Sequence, residues 1–278
     1  MIDGQPHRPT KTVAIMVPFS NRVELTDDEE ISLRHLRHFL GRYDKYAIAP
    51  PALDIDLPDF TILRFDDPYF GSAQNHKRLL FSPDLYRAFG DYEYLLTYHL
   101  DALVFSDQLL DWCGRGFDFV GPPWVKHPNA PYAGMTQIEN RVGNGGFSLK
   151  KVSSFLNVLL SPRRAVEPRD YWRQAREQGK GLRVQAKAAL EYVRLHSSHY
   201  NNIQWEVARW RKNEELFWDR RACHYSPGFR IATVEEALPF GFEAVPEYCF
   251  ELNGRKLPFG CHAWPKYNRA FWESYLIK

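Results

Sequence analysis

Apolar positions along the first 120 residues fall into short continuous runs separated by segments with helical spacing. Residues 11–19 (KTVAIMVPF) form an apolar, β-branched run that ends around Pro18, as a buried strand does. Thr26 and Glu29 have capping-box spacing, and Ile31, Leu33, Leu36, Phe39 and Leu40 extend a helix to about Gly41. Strands are expected at 45–49, stopped by Pro50 and Pro51, and at 60–65, stopped by Asp66, Asp67 and Pro68. Two short helices follow at 72–81 and 83–89, the second with Ser82 as N-cap and Pro83 in its first position. Residues 94–98 (YLLTY) make the best central strand and run directly into His99, Leu100 and Asp101. Ser106 is the expected cap of a helix around 108–113, and 117–121 returns as a strand. Such alternation predicts an α/β protein with a mostly parallel sheet and helices on both faces.

Beyond residue 121 the pattern loosens. Residues 122–142 read as a long loop, of the length that in compact domains tends to be functional. A glycine turn at 143–146 feeds a short strand to 150, and helices are expected at 152–160, 184–195 and 202–217. A short strand at 230–233, a second capping box at Thr233 and Glu236, and an aromatic helix near 269–275 complete the chain. No repeat, low-complexity tract or linker interrupts it, so one domain over 1–278 is expected, with a helical insertion at about 160–212.

Composition narrows the function classes. A net charge of +2 over 278 residues argues against a nucleic-acid binder that relies on broad phosphate neutralisation. The basic residues are uneven, however, and crowd the stretch 163–187; this is a solvated face or a patch for anionic lipid or an anionic acceptor. Cys113, Cys223, Cys249 and Cys261 are scattered without CxxC spacing, which suggests neither a zinc site nor a disulfide framework. No apolar run approaches the length of a membrane span, and residues 1–10 are polar, so the cytoplasm is the expected address.

Four constellations could carry chemistry. Asp101 follows a strand end, where α/β sheets bind ligands, and with His99 beside it could hold a divalent cation; a turn former is the plainer alternative. Gly143-Asn144-Gly145-Gly146 would let backbone approach a ligand, or simply make a tight turn. Glu214 and Glu215 point in different directions on a helix, so one could serve as general base; a solvated pair answering Arg211, Lys212 and Arg220 is the competing account. His262, in PFGCHAW, is a candidate metal or phosphate ligand or a structural histidine.

In their order along the chain these landmarks resemble those of the GT-A-fold (Rossmann-like) glycosyltransferases. More closely, the chain is similar to a bacterial and fungal family of glycosyltransferase-like proteins catalogued as a domain of unknown function. The matching stretches are FDDPYF (65–70), YEYLLTYHLDALVFSDQLLDWC (92–113), DFVGPPW (118–124), VGNGGFSLKKV (142–152), NEELFW (213–218) and ELNGRKLPFGCHAW (251–264). The resemblance implies transfer of a sugar, from a nucleotide diphosphate donor such as a UDP-sugar, to a glycan or lipid-linked acceptor, as in polysaccharide biosynthesis. It implies a nucleotide-sugar half at about 11–121 and an acceptor half at about 122–278. Asp101 and His262 would hold manganese or magnesium, with His99 where the family has the first Asp of Asp-x-Asp. Gly145 and Gly146, with Asn144, would lie beside donor sugar and acceptor, Phe19 against the base and Arg78 against the diphosphate. Glu215, preceded by Glu214, falls where inverting enzymes carry an Asp base. A catalytically silent carbohydrate- or nucleotide-binding protein on the same fold is the alternative, and a sugar nucleotidyltransferase is disfavoured because Ser20-Asn21-Arg22 supplies no glycine for a phosphate loop.

Overall fold

The computed structural model describes residues 9–19, 22–131, 141–178 and 181–277. Strands β1 (Lys11–Pro18), β2 (Asp44–Ala49), β3 (Thr61–Arg64) and β4 (Tyr92–Tyr98) run parallel to one another. Helix α1 (Asp27–Leu40) links the first two, and α2 (Ala73–Leu80) and α3 (Pro83–Ala88) link the last two. The expected caps are in place: Thr26 and Glu29 form a reciprocal capping box, and Ser82 caps α3 ahead of Pro83.

After β4 come β5 (Leu103–Val104), α4 (Leu109–Gly114), β6 (Phe119–Val120), β7 (Pro123–Trp124), β8 (Arg141–Val142) and β9 (Phe147–Lys151). The main sheet has the order β3-β2-β1-β4-β9-β6, and β9 is antiparallel to both neighbours. It is therefore a mostly parallel α/β sheet with one reversed strand. Val13, Ile15 and Val17 pack toward α1 and α4, while Ala14 and Met16 pack toward α2 and α3 and toward α5 (Val152–Leu159). Burial on both faces is why β1 reads as an unbroken apolar run.

The remaining elements are α6 (Pro168–Gln178), α7 (Leu182–Leu195), α8 (Ile203–Arg209), α9 (Glu214–Tyr225), α10 (Val234–Ala237), β10 (Gly241–Phe242), α11 (Pro246–Leu252), β11 (Gly260–Cys261) and α12 (Arg269–Trp272). Asn201 pins the base of the α6–α7 hairpin. Its amide accepts from Val166 N at 2.8 Å and donates to Val166 O at 2.8 Å and Leu195 O at 2.6 Å. β10, β11 and β5 form a second sheet, and the buried ring of Phe147 joins the two. That ring lies 5.1 Å from Phe240 and 5.6 Å from Phe259, against the bare backbone of Gly260, where a Cβ would come within 2.2 Å of its Cζ. Among the described residues, no helix is long and apolar enough to cross a membrane.

Three expectations are corrected. Ser106 does not cap α4: the helix starts at Leu109, and its N-cap position is Gln108, which makes no side-chain cap. The segment 230–233 is not a strand, because only Ile231 bridges to Phe119 before Thr233 caps α10. The single helix expected at 202–217 is two. Trp210 is extended, its indole donates to Asn213 O at 2.8 Å, and the Lys77 amine donates to Trp210 O at 2.9 Å and Lys212 O at 3.3 Å. Side-chain donors, one local and one from Lys77, thus satisfy carbonyls that continued helix would have satisfied, and a second helix restarts at Glu214.

Truncating the ring that joins the two sheets leaves a cavity that backbone cannot fill. Phe147→Ala should cost about 3–5 kcal/mol, read as a lower urea midpoint with an unchanged slope.

Candidate active site

β4 ends at Tyr98, so His99 and Asp101 lie beyond the carboxyl end of a central parallel strand, where such sheets bind ligands. Because β9 runs the opposite way, its beginning lies beside that end, and His99 N donates to Gly146 O at 2.8 Å. The second sheet supplies the third segment: His262 N donates to Phe242 O at 2.9 Å, and Trp264 N to Asp101 O at 3.1 Å. His99, Asp101 and His262 each offer one ligand atom, all within 4.8 Å of one another.

Glu243 orients this group. Its Oε1 lies 3.3 Å from His262 Nδ1 and accepts from Asn144 Nδ2 at 2.6 Å, while Oε2 accepts from Trp124 Nε1 at 3.1 Å. The other nitrogen, His262 Nε2, faces Asp101 Oδ1 at 3.2 Å. Burial alone would lower the His262 pKa, but Asp101 and Glu243 on either side raise it to about 10. Burial would raise Asp101, yet the His262 imidazole brings it down to about 2. His99 is held well below its ordinary value by burial and by its neighbour His76, so it is neutral. The site thus combines an ionised carboxylate, a neutral imidazole and a position that favours positive charge. Among the described residues, His99 Nε2 is buried without a hydrogen-bond partner, and Asp101 Oδ1 and His262 Nε2 have only each other. An unpaired buried imidazole nitrogen is destabilising, and one that converges with a carboxylate and a second imidazole fits a divalent cation. A carboxylate on the far nitrogen of a ligating histidine is also the usual orienting partner in metal sites.

The glycine turn is shaped by what packs on it. A Cβ on Gly146 would sit 2.1 Å from His262 Nε2, and one on Gly145 2.9 Å from Glu214 Oε1. Asn144 uses its amide internally, donating to Glu243 and accepting from Gly146 N at 2.8 Å. Gly145 N donates to Glu215 Oε1 at 3.1 Å, which joins the turn to the start of α9. Glu214 and Glu215 are not solvated. Burial, then mutual repulsion, raises Glu214 far above the carboxylate range, and burial raises Glu215. Among the described residues, both Glu214 oxygens and Glu215 Oε2 lack a hydrogen-bond donor.

Two lobes of one cleft meet at His76 and His99. The larger, about 500 Å³, is lined by Phe19, Arg22, Tyr69, Phe70 and Asp101. The smaller, about 300 Å³, is lined by Gly145, Gly146, Glu214, Glu215 and His262, with Lys77 and Arg211. Phe19 is buried at the end of β1 with its backbone N–H on Ile48 O at 2.8 Å. Arg78 is exposed and lines neither lobe; its neighbour Lys77 does. Sequence reasoning missed Glu243, His76 and Lys150. Burial lowers the His76 pKa to about 4, and its ring lies 5.2 Å from that of His99. Lys150 is fully buried, donates to Thr97 Oγ1 at 2.7 Å and is attracted by Glu214 and Glu215. Only Lys150 left a trace, as a charge within the strand-like GFSLK run.

No curated protein matches this chain. Among solved structures it is similar to the apo-form glycosyltransferase GlyE of Streptococcus pneumoniae TIGR4, at 12% identity and a TM-score of 0.42, over 96% of this chain and 60% of that one. The chain thus spans three fifths of the length of that structure, and a likeness this distant supports no inference about activity. The family model described as "protein of unknown function (DUF5672)" matches residues 59–262, nearly three quarters of the sequence, and the chain belongs to that family.

Proposed function

We propose that the protein transfers a sugar from a nucleoside diphosphate donor to an acceptor hydroxyl, with inversion, on a GT-A-like fold. The observation that carries this is the convergence of three candidate ligand atoms at the end of β4, between a larger lobe and one holding a buried carboxyl pair. The nucleoside takes the larger lobe, with its base against Phe19, and the acceptor takes the smaller one. Residues about 11–121 then serve the donor and about 122–278 the acceptor.

Asp101, His99 and His262 would hold the divalent cation, and two imidazoles favour manganese over magnesium, which prefers oxygen ligands. When bound, it supplies positive charge against the phosphate oxygens of the departing nucleoside diphosphate. Glu215 takes the acceptor's hydroxyl proton as that oxygen bonds to the anomeric carbon and the bond to the donor phosphate breaks. Its ionised form is supported by Gly145 N–H and by the start of α9, while Glu214, pushed further up, keeps its proton. Lys150 offsets the charge of the pair from within the core.

Asp101→Ala should abolish both manganese-dependent binding of nucleoside diphosphates, measured by calorimetry, and turnover; retention of both would exclude the metal site. Glu215→Gln should leave donor binding intact and lower kcat by about 10²–10⁴-fold. In the native protein the rate should fall as pH drops through a midpoint above 4.5, the ordinary value, because the raised pKa protonates the base early. Gly146→Ala should displace the His262 ring and weaken manganese binding by at least about tenfold while the protein stays folded. If no nucleotide sugar raises the Tm of the native protein, with or without manganese, a silent binding role replaces transfer.

A further inference from the structure

The α6–α7 hairpin takes no part in the cleft and presents a surface that the proposed chemistry leaves unexplained. On α7, Leu182, Leu190 and Val193 are 87%, 70% and 69% exposed, and Ala186 is exposed between them. Their spacing puts all four on one stripe of the helix, since each lies three or four residues from the next. The helix spans 14 residues, or about 21 Å. The opposite side packs inward at Ala188 and Leu195, which are buried, and through the Tyr192 ring, 5.4 Å from Trp172 of α6, while Val184 at its first turn is exposed. An apolar row this exposed is unusual unless it meets a partner.

The charge beside the row says what kind of partner. Arg183, Lys187 and Arg194 are exposed along one flank of the stripe, and Arg194 lies 3.7 Å from the Glu191 carboxylate. On α6, Arg169, Arg173 and Arg176 recur at helical spacing and are exposed, Arg173 being paired with Asp170 at 2.8 Å. Residues 163–194 contain nine Lys and Arg against four Asp and Glu, a net +5, whereas the whole chain is +2; the remainder is therefore net −3. A second copy of the chain would bring a like-charged basic face to the same place. A surface that is apolar along one line and anionic beside it complements the hairpin, and an anionic bilayer has that profile.

We propose that the α6–α7 hairpin docks the protein on an anionic lipid surface. Leu182, Ala186, Leu190 and Val193 enter the interface between headgroups and acyl chains, while Arg183, Lys187 and Arg194 lie against lipid phosphates. The hairpin lies on the membrane and does not span it.

Vesicle co-sedimentation tests this directly. The native protein should bind phosphatidylcholine vesicles containing phosphatidylglycerol, bind pure phosphatidylcholine at least about tenfold more weakly, and be released by salt. The triple variant Leu182→Glu, Leu190→Glu, Val193→Glu should lose binding with an unchanged Tm, since all three side chains are exposed. The triple variant Arg183→Glu, Lys187→Glu, Arg194→Glu should lose the preference for anionic lipid. Absence of native binding at low salt, or full binding by the apolar triple variant, overturns the proposal. So does a native dimer in sedimentation equilibrium that the apolar triple variant converts to monomer, because a second copy would then be what covers the row.

Discussion

The carboxylate of Glu243 is the constraint on which the candidate centre depends. One buried group receives the Trp124 indole, the Asn144 amide and the His262 imidazole, and so ties together three parts of the chain that share no secondary structure. Without it, the glycine turn would lose the amide that fixes Gly146, and His262 would lose the partner that sets which nitrogen faces Asp101. A buried carboxylate is costly unless its lone pairs are used, and here three donors use them. The candidate centre is therefore held together by its own hydrogen bonds.

The acid pair follows a different logic. Glu214 and Glu215 open α9 only because the chain breaks at 210–213, and that break is held by Trp210 and Lys77. A continuous helix would have placed both carboxyls mid-helix, away from its N-terminal end. Restarting at Glu214 sets them at the end where the helix dipole favours negative charge and against the bare backbone of Gly145. Burial without full pairing splits the two acids, one kept neutral and one left able to ionise, and such a split suits acid–base work.

Much of the frame was legible in the sequence because it follows local rules. The run in β1, the capping boxes at Thr26 and Thr233, and the Ser82-Pro83 start each depend on residues within a few positions of one another. Asp101, the glycine turn, the acid pair and His262 could be singled out, since each has a local context, but their meeting at one point is a tertiary fact. The break at 210–213 was hidden because Arg211 and Lys212 are good helix formers, and the donors that compete with the helix include an amine from residue 77. Glu243 was invisible for the same reason: its partners lie 119, 99 and 19 positions away. Lys150 ran against expectation, since a charged strand residue is normally read as facing water.

The reversed strand has a consequence for how the molecule is made. The first four strands pair with one another without any strand that comes later. The centre does not share that economy: β9 must add beside β4 about fifty residues after it, and His262 must return to Asp101 across 161 positions. A nascent chain that has reached Lys150 therefore carries two of the three candidate ligand residues and lacks the Glu243 carboxylate that orients the third. The candidate centre is complete only once the chain has returned through Glu243 to His262.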